Sequence, residues 1–426
     1  MATASSQLLL PVLLLAFARP FFAGSVEPGA AAGLHPVVLL PGYSCSQLDA
    51  QLTDEFDHSS APSCGGAHWE KRWFRLWQNH TALQEDPALV PCYAELLRLV
   101  YDPVAGDYRN VPGVETRAVA FGTTRGFGTG DPATKNICME KLVRALEGRL
   151  GYRQGENLFG APYDFRYAPA PPGQASRVFA GFLSTLRALV EQASEMNGDS
   201  PVILVTHSLG GLNANFFLRR SPSAWRRRYV KHFVMASTGA GGSVPLLQLG
   251  GSSTATDLLS FANTRWTFAS VFSPLPSPIV FGHAPLVVTR AKNYSACDIP
   301  EYLKANGFSD DEAARYVTRV LPVTLDFGAP AVPTTCINGV GVPTAEKLMY
   351  WDGDFGAKPE AVYGDGDGAI NIASMLALDT LIGADPAQDY FKSLLIHNTS
   401  HVGVISDDYA VKRLVNEVLE ANRAID

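Results

Sequence analysis

The chain has 426 residues, 46% of them hydrophobic and 18% charged, with a formal net charge of −7. That is enough apolar material to close one large core carrying insertions, rather than two equal domains. The acidic balance excludes general nucleic-acid binding, and no internal repeat or low-complexity tract points to a fibrous or solenoid chain.

Residues 1–25 read as a removable secretory signal. Leu8 to Ala18 is an apolar stretch of h-region length, Arg19-Pro20 ends it, and Ala23-Gly24-Ser25 offers a small-residue cleavage site. No Lys or Arg precedes the apolar stretch, so an uncleaved anchor is the rival reading. Strands are expected at 36–40, 201–206, 229–236 and 392–397 and helices at 176–196 and 408–421. This alternation implies a mainly parallel sheet. Val411, Leu414, Val415, Val418 and Leu419 share one face of the last helix, while the Pro/Gly-rich stretches near 164–173 and 327–344 read as loops.

The chemistry begins at Val202-Ile203-Leu204-Val205-Thr206-His207-Ser208-Leu209-Gly210-Gly211, a β-branched run that breaks at a serine and passes into a helix-like segment, Leu212 to Arg219. This is the layout of a nucleophile elbow, where a tight strand-to-helix turn lifts a hydroxyl over a helix N-terminus. Gly210 supplies the small residue the turn needs, but Thr206 stands two before the serine where the full G-x-S-x-G pattern has glycine. In an α/β-hydrolase the acid and the histidine follow the serine in that order. His397 and His401 are the histidines far enough downstream, and Gly364-Asp365-Gly366-Asp367-Gly368 is the acidic loop before them. An extended loop would turn Asp365 and Asp367 to opposite sides, so one of the two meets the imidazole. A tight Gly/Asp turn with no chemistry is the competing interpretation; a calcium loop is disfavoured, because the twelfth position from Asp365 is Leu376, not glutamate.

These motifs resemble the lecithin:cholesterol acyltransferase family, which includes a lysosomal phospholipase and phospholipid:diacylglycerol acyltransferases. Pro36-Val37-Val38-Leu39-Leu40-Pro41-Gly42-Tyr43, Gly160-Ala161-Pro162-Tyr163-Asp164-Phe165-Arg166, the serine motif, Gly339-Val340-Gly341-Val342-Pro343-Thr344 and the acidic loop occur in that family's order, over residues 35 to 420. The resemblance implies an α/β-hydrolase domain over 35–421, with helices on both faces of the sheet, a membrane-contacting insertion at 64–92 and a cap or lid at 240–280. It implies Ser208 as nucleophile, Asp367 rather than Asp365 as acid and His401 rather than His397 as base. The backbone N–H groups of Tyr43 and Leu209 would form the oxyanion hole. The chain departs from the family at Thr206 and at Ala369-Ile370, where Gly or Ala and Thr-Val are usual.

Six cysteines and the sequons at Asn79, Asn293 and Asn398 agree with the secretory pathway, extracellular or lumenal in vacuole or endoplasmic reticulum. Asn398 lies close enough to His401 that a sugar there would be obstructed. The resemblance implies a Cys64–Cys92 disulfide and matches Cys336 to a second family cysteine, for which Cys297 is the nominal partner; Cys45 and Cys138 are then left free. No cysteine spacing suggests a zinc site, and no metal or cofactor is expected. Trp69, Trp73 and Trp77 fall at i, i+4 and i+8, so a helix would put them on one face, apart from Lys71, Arg72 and Arg75. Their place between Cys64 and Cys92 implies contact with a phospholipid membrane or lipoprotein-like surface, and core packing is the alternative. Gly/Ser/Thr-rich sequence leading into Phe261, Trp266, Phe268 and Phe272 suits either a lid or an ordinary excursion packed on the sheet. Asp164 and Arg166 read as a structural charge pair. The expected protein is a monomeric serine acyl-enzyme that moves a fatty acyl group from a glycerophospholipid to a lipid alcohol or to water. A non-catalytic lipid-binding protein on the same fold and a soluble carboxylesterase are the alternatives.

Overall fold

A computed structural model describes residues 33–59, 62–64, 72–127, 136–248 and 262–424; the expected signal segment, Trp69 and Phe261 lie outside the described residues. Six strands form the central sheet: β1 Val37–Leu40, β2 Leu158–Gly160, β3 Val202–His207, β4 Val230–Ala236, β5 Thr334–Val340 and β6 Phe391–His397. Their spatial order is β6-β5-β4-β3-β1-β2, and every pairing is parallel. Apolar runs such as Val37–Leu40 suit such a sheet, because both of its faces are covered.

Alternation along β1 shows the two layers. Val37 and Leu39 pack with Leu142 and Leu146 of helix α1 (Glu140–Leu150). Val38 and Leu40 face the other way, onto Leu186 and Val190 of α2 (Arg177–Met196) and Ala214 and Leu218 of α3 (Leu209–Arg220). The last helix, α4 (Asp408–Arg423), lays Val411, Leu414, Val415 and Val418 on the α1 side, while Leu419 is only half-buried. This is an α/β-hydrolase fold. After β2 the chain crosses back over β1 to build β3, so a crevice opens beyond the carboxyl ends of β1 and β3, where open parallel sheets bind ligands.

Three sequence expectations change. The stretch 327–344 contains β5, a fully buried strand whose Thr334-Thr335-Cys336-Ile337 run lies between Pro333 and Gly339. Residues Phe74–Trp77 form a strand paired with Leu48–Leu52, not a helix. Trp77 accordingly packs inward, its ring centroid 5.6 Å from that of Phe165 and its indole N–H donating to the Ser44 carbonyl at 2.7 Å. Trp73 stays at the surface, 37% exposed, with the Arg117 guanidinium 4.1 Å from its ring centroid.

Arg166 is fully buried and forks onto Asp164 with bonds of 2.8 and 2.6 Å. Its remaining donors reach the Leu97 carbonyl at 3.0 Å, Asn110 at 2.9 Å and Thr116 at 2.8 Å. The pair therefore ties the Tyr163–Tyr167 turn to the antiparallel strands beside the sheet and takes no part in the site. Removing one member of such a pair leaves a buried charge without its counter-ion. Arg166→Ala is expected to lower the unfolding free energy by about 3–5 kcal/mol, measured by denaturant titration.

Candidate active site

Ser208 joins β3 to α3 with φ 52° and ψ −125°, a conformation that non-glycine residues hold only when packing enforces it. Glycines let the surrounding backbone close in. A Cβ on Gly210 would lie 2.5 Å from the Pro41 carbonyl oxygen, and one on Gly211 would lie 2.2 Å from Thr238 Oγ1. Two residues before the serine a side chain is tolerated: the Thr206 hydroxyl is buried and donates to the Val234 carbonyl at 3.1 Å.

The three side chains from distant loops meet. Ser208 Oγ donates to His401 Nε2 at 2.9 Å, and His401 Nδ1–H donates to Asp367 Oδ2 at 2.9 Å. Asp367 is buried, and its other carboxylate oxygen accepts the Ala369 and Ile370 N–H groups at 2.9 and 2.6 Å. The His401 N–H donates to the Asp367 carbonyl at 2.8 Å, so main chain and side chain fix the pair together. Asp365 instead holds the loop, accepting from the Gly341 and Gly366 N–H groups at 2.6 and 2.7 Å. His397 ends β6 with its side chain exposed.

Leu209 opens α3, so its N–H lacks an intrahelical acceptor and adds to the positive end of the helix dipole. Tyr43 sits in the turn that follows β1. A Cβ on Gly42 would be 3.1 Å from Ser208 Cβ, which shows how near this turn comes to the nucleophile. Tyr43 and Leu209 share with Ser208 and His401 a cavity of about 570 Å³. Ile137, Leu212, Leu246, Trp266, Val271 and Ile370 give it an apolar wall, and Arg265 is the one Lys or Arg among its described lining residues.

His207 is a participant that sequence reading passed over, although it immediately precedes the serine. It is buried, and its Nε2–H donates to the His401 carbonyl at 3.1 Å. Burial, then the nearby His401 ring, pushes its pKa down to about 3. His232, buried against Thr335 at 2.8 Å, is held down to about 4 by burial and then by Lys231 and Lys392.

The described parts of 240–280 run through short helical turns that wall the cavity. Phe268 is buried beside Phe165, and Trp266 and Phe272 meet Phe308. Cys64 and Cys92 are joined, and so are Cys45 and Cys138, which sequence reading left free. Cys297 and Cys336 do not pair: Cys336 is buried on β5 against Met235, and Cys297 is exposed near Gly282. The Asn79 amide turns inward to Tyr93 at 3.2 Å, whereas Asn293 is exposed. Among the described residues no helix is long and apolar enough to cross a membrane.

The family model for lecithin:cholesterol acyltransferase matches residues 73–281. The chain is 43% identical over 403 residues to lecithin-cholesterol acyltransferase-like 1 of Oryza sativa subsp. japonica, covering 93% of this chain and 89% of the relative. It is 37% identical to the protein of that description in Arabidopsis thaliana, covering 92% of each. To the lysosomal phospholipase A and acyltransferase of Homo sapiens it is 29% identical, covering 82% of this chain and 83% of the relative.

Two measurements check the geometry. Asp367→Asn is expected to lower kcat on a soluble ester about 10⁴-fold, because the imidazole loses its tautomer, whereas Asp365→Asn costs less than about tenfold. Equal losses would contradict the assignment. Below pH 6.5 the unfolded chain protonates His207 and His232 while the folded chain does so only near about 3 and about 4. The unfolded state thus binds more protons in that window, and stability falls as the pH drops. Each buried imidazole is expected to cost about 2 kcal/mol at pH 5, and His232→Gln should flatten the pH dependence of denaturant unfolding by that amount.

Proposed function

The chain belongs to the lecithin:cholesterol acyltransferase family, and from that premise we propose how its site carries out lipid acyl transfer. It is a lipid acyltransferase/phospholipase, an enzyme that acts on phospholipids. The observation that supports a serine mechanism is the unbroken Asp367–His401–Ser208 relay, with both links at 2.9 Å, opening into an apolar cavity.

In this mechanism His401 takes the Ser208 proton as Oγ attacks the ester carbonyl of a glycerophospholipid. Asp367 stabilises the imidazolium, and the N–H groups of Tyr43 and Leu209 hold the oxyanion. Collapse expels the lysophospholipid, whose oxygen takes the proton back from His401, and leaves a fatty acyl ester on Ser208. Water or a lipid alcohol such as a sterol then attacks that ester by the same steps in reverse. The apolar wall suits an acyl chain, and the Arg265 cation suits the substrate's phosphodiester.

The enzyme rests on a phospholipid membrane or lipoprotein-like surface. The support is the exposure of Trp73 and of Ile137 and Leu246, of which the last two also line the cavity. Two disulfides fit a secretory-type protein, and the proposed compartment is extracellular or lumenal.

The test is incubation of the purified protein with vesicles of acyl-labelled phosphatidylcholine, with and without sterol. Labelled free fatty acid is expected, joined by labelled sterol ester when sterol is present; fatty acid alone would exclude the sterol as acceptor. Ser208→Ala should lose about 10⁴-fold or more in rate; unchanged activity in that variant would overturn Ser208 as the nucleophile, and no acyl release by the unsubstituted protein would leave a lipid-binding protein rather than an enzyme. Trp73→Ala should weaken activity on vesicles while sparing a soluble ester.

A further inference from the structure

We propose that the Cys45–Cys138 disulfide is a positioning device for the oxyanion-hole turn, holding the Tyr43 N–H where the transition state needs it. The proposal rests on the serine mechanism above and adds a role that the triad does not contain.

The turn Gly42–Cys45 is short and strained. Ser44 has φ 62°, in the left-handed region that a non-glycine residue keeps only when its surroundings impose it. The constraints around it can be named. On one side Gly42 abuts the His207 ring and Ser208 Cβ. In the middle the Ser44 carbonyl accepts the Trp77 indole N–H at 2.7 Å and the Gln78 amide at 3.3 Å. At the far end the Cys45 N–H closes the turn onto the Gly42 carbonyl with a long bond of 3.3 Å, and the disulfide supplies the covalent restraint.

The other half of the bond is well anchored. Cys138 is buried and directly precedes Met139, itself buried in the cluster where Leu142 and Leu146 of α1 pack on Val37 and Leu39. The link spans 93 residues and returns the turn to a helix packed under β1, the strand that launches the turn. Tyr43 is thereby held from both ends against one rigid layer. Cys45 and Ile137, the neighbour of Cys138, line the catalytic cavity, so this bond is part of the site's wall. Neither Cys64 nor Cys92 lines that cavity.

The expected effect follows from geometry. A donor that drifts by about 1 Å from the developing oxyanion costs on the order of 10²-fold, and complete loss of one donor costs about 10²–10³-fold. Binding of the ground-state ester, which does not depend on that donor, is little affected.

The test uses the full chain, with non-reducing peptide mapping to establish the bond. Cys45→Ala/Cys138→Ala and the near-isosteric Cys45→Ser/Cys138→Ser are compared with Cys64→Ala/Cys92→Ala on a short-chain nitrophenyl ester in solution. In both Cys45/Cys138 variants kcat is expected to fall about 10–100-fold with KM changed less than about threefold, and fluorophosphonate should still label Ser208, more slowly. The Cys64/Cys92 variant should keep kcat within about threefold even if its melting temperature drops. Graded reduction of the unsubstituted protein by a phosphine, mapped by mass spectrometry, reads the same quantity without any substitution. There kcat should track loss of Cys45–Cys138 and not loss of Cys64–Cys92. A protein lacking the Cys45–Cys138 bond with wild-type kcat, or a fall matched by the Cys64/Cys92 variant, overturns the proposal. If the unsubstituted protein is itself not labelled at Ser208, the serine mechanism fails and the positioning role fails with it.

Discussion

The site depends on how closely two pieces of backbone approach beyond the ends of β1 and β3. Gly210 meets the Pro41 carbonyl at a distance that leaves no room for a side chain. That contact, with Gly42 against the serine, keeps Ser208 in a conformation it would not adopt alone. Once Ser208 is fixed, the rest follows from the sheet. In the proposed arrangement the helix that begins one residue later supplies one N–H donor, the turn after β1 supplies a second, and the loops beyond β5 and β6 bring Asp367 and His401 to the Ser208 hydroxyl. The Ser208 hydroxyl is placed by main-chain packing, which is rigid, and not by the rotamers of a flexible surface loop.

Much of this was legible in the sequence because the residues involved have few alternatives. β1 and β3 are short β-branched or apolar runs, each ending in turn residues, and α2 and α4 show clear helical periodicity. β5 was hidden because its seven residues lie within Pro/Gly-rich sequence, and a buried strand needs no alternation to reveal it. The tryptophan spacing misled for a different reason. Steps of four keep residues on one face of a helix, but here the chain becomes a strand only at Phe74, which leaves Trp73 before it at the surface while Trp77 at its end packs inward. The choice between Asp365 and Asp367 was open to chemistry alone. It depends on which carboxylate the Gly366 and Gly368 backbone turns toward His401, and only the folded loop specifies that. The Cys64–Cys92 pair was legible through the resemblance, but the pairing of Cys45 with Cys138 was out of reach, because these two become neighbours, with Cα atoms 5.5 Å apart, only after α1 has packed under β1.

His207 shows how the electrostatics of the relay are kept simple. In the proposed mechanism His401 becomes an imidazolium whose ring centroid lies 5.0 Å from that of a second imidazole. Burial keeps that second ring neutral, so the charge in the proposed step would meet the Asp367 carboxylate on one side and an uncharged ring on the other. The same triad serves hydrolysis and transfer equally well. In the proposed mechanism the choice of acceptor therefore lies with the cavity wall, where apolar side chains and, among the described lining residues, one arginine are presented together.

The two bridges are nested, since Cys64 and Cys92 both lie inside the loop that Cys45 and Cys138 close. During synthesis the inner pair leaves the ribosome complete, while Cys45 must wait as an open thiol until residue 138 has been made. A chain oxidised too early has two wrong partners within reach of Cys45 and no right one. Correct maturation of this enzyme is therefore a matter of timing, and it favours a compartment where mispaired bonds can be reshuffled before the sheet closes around them.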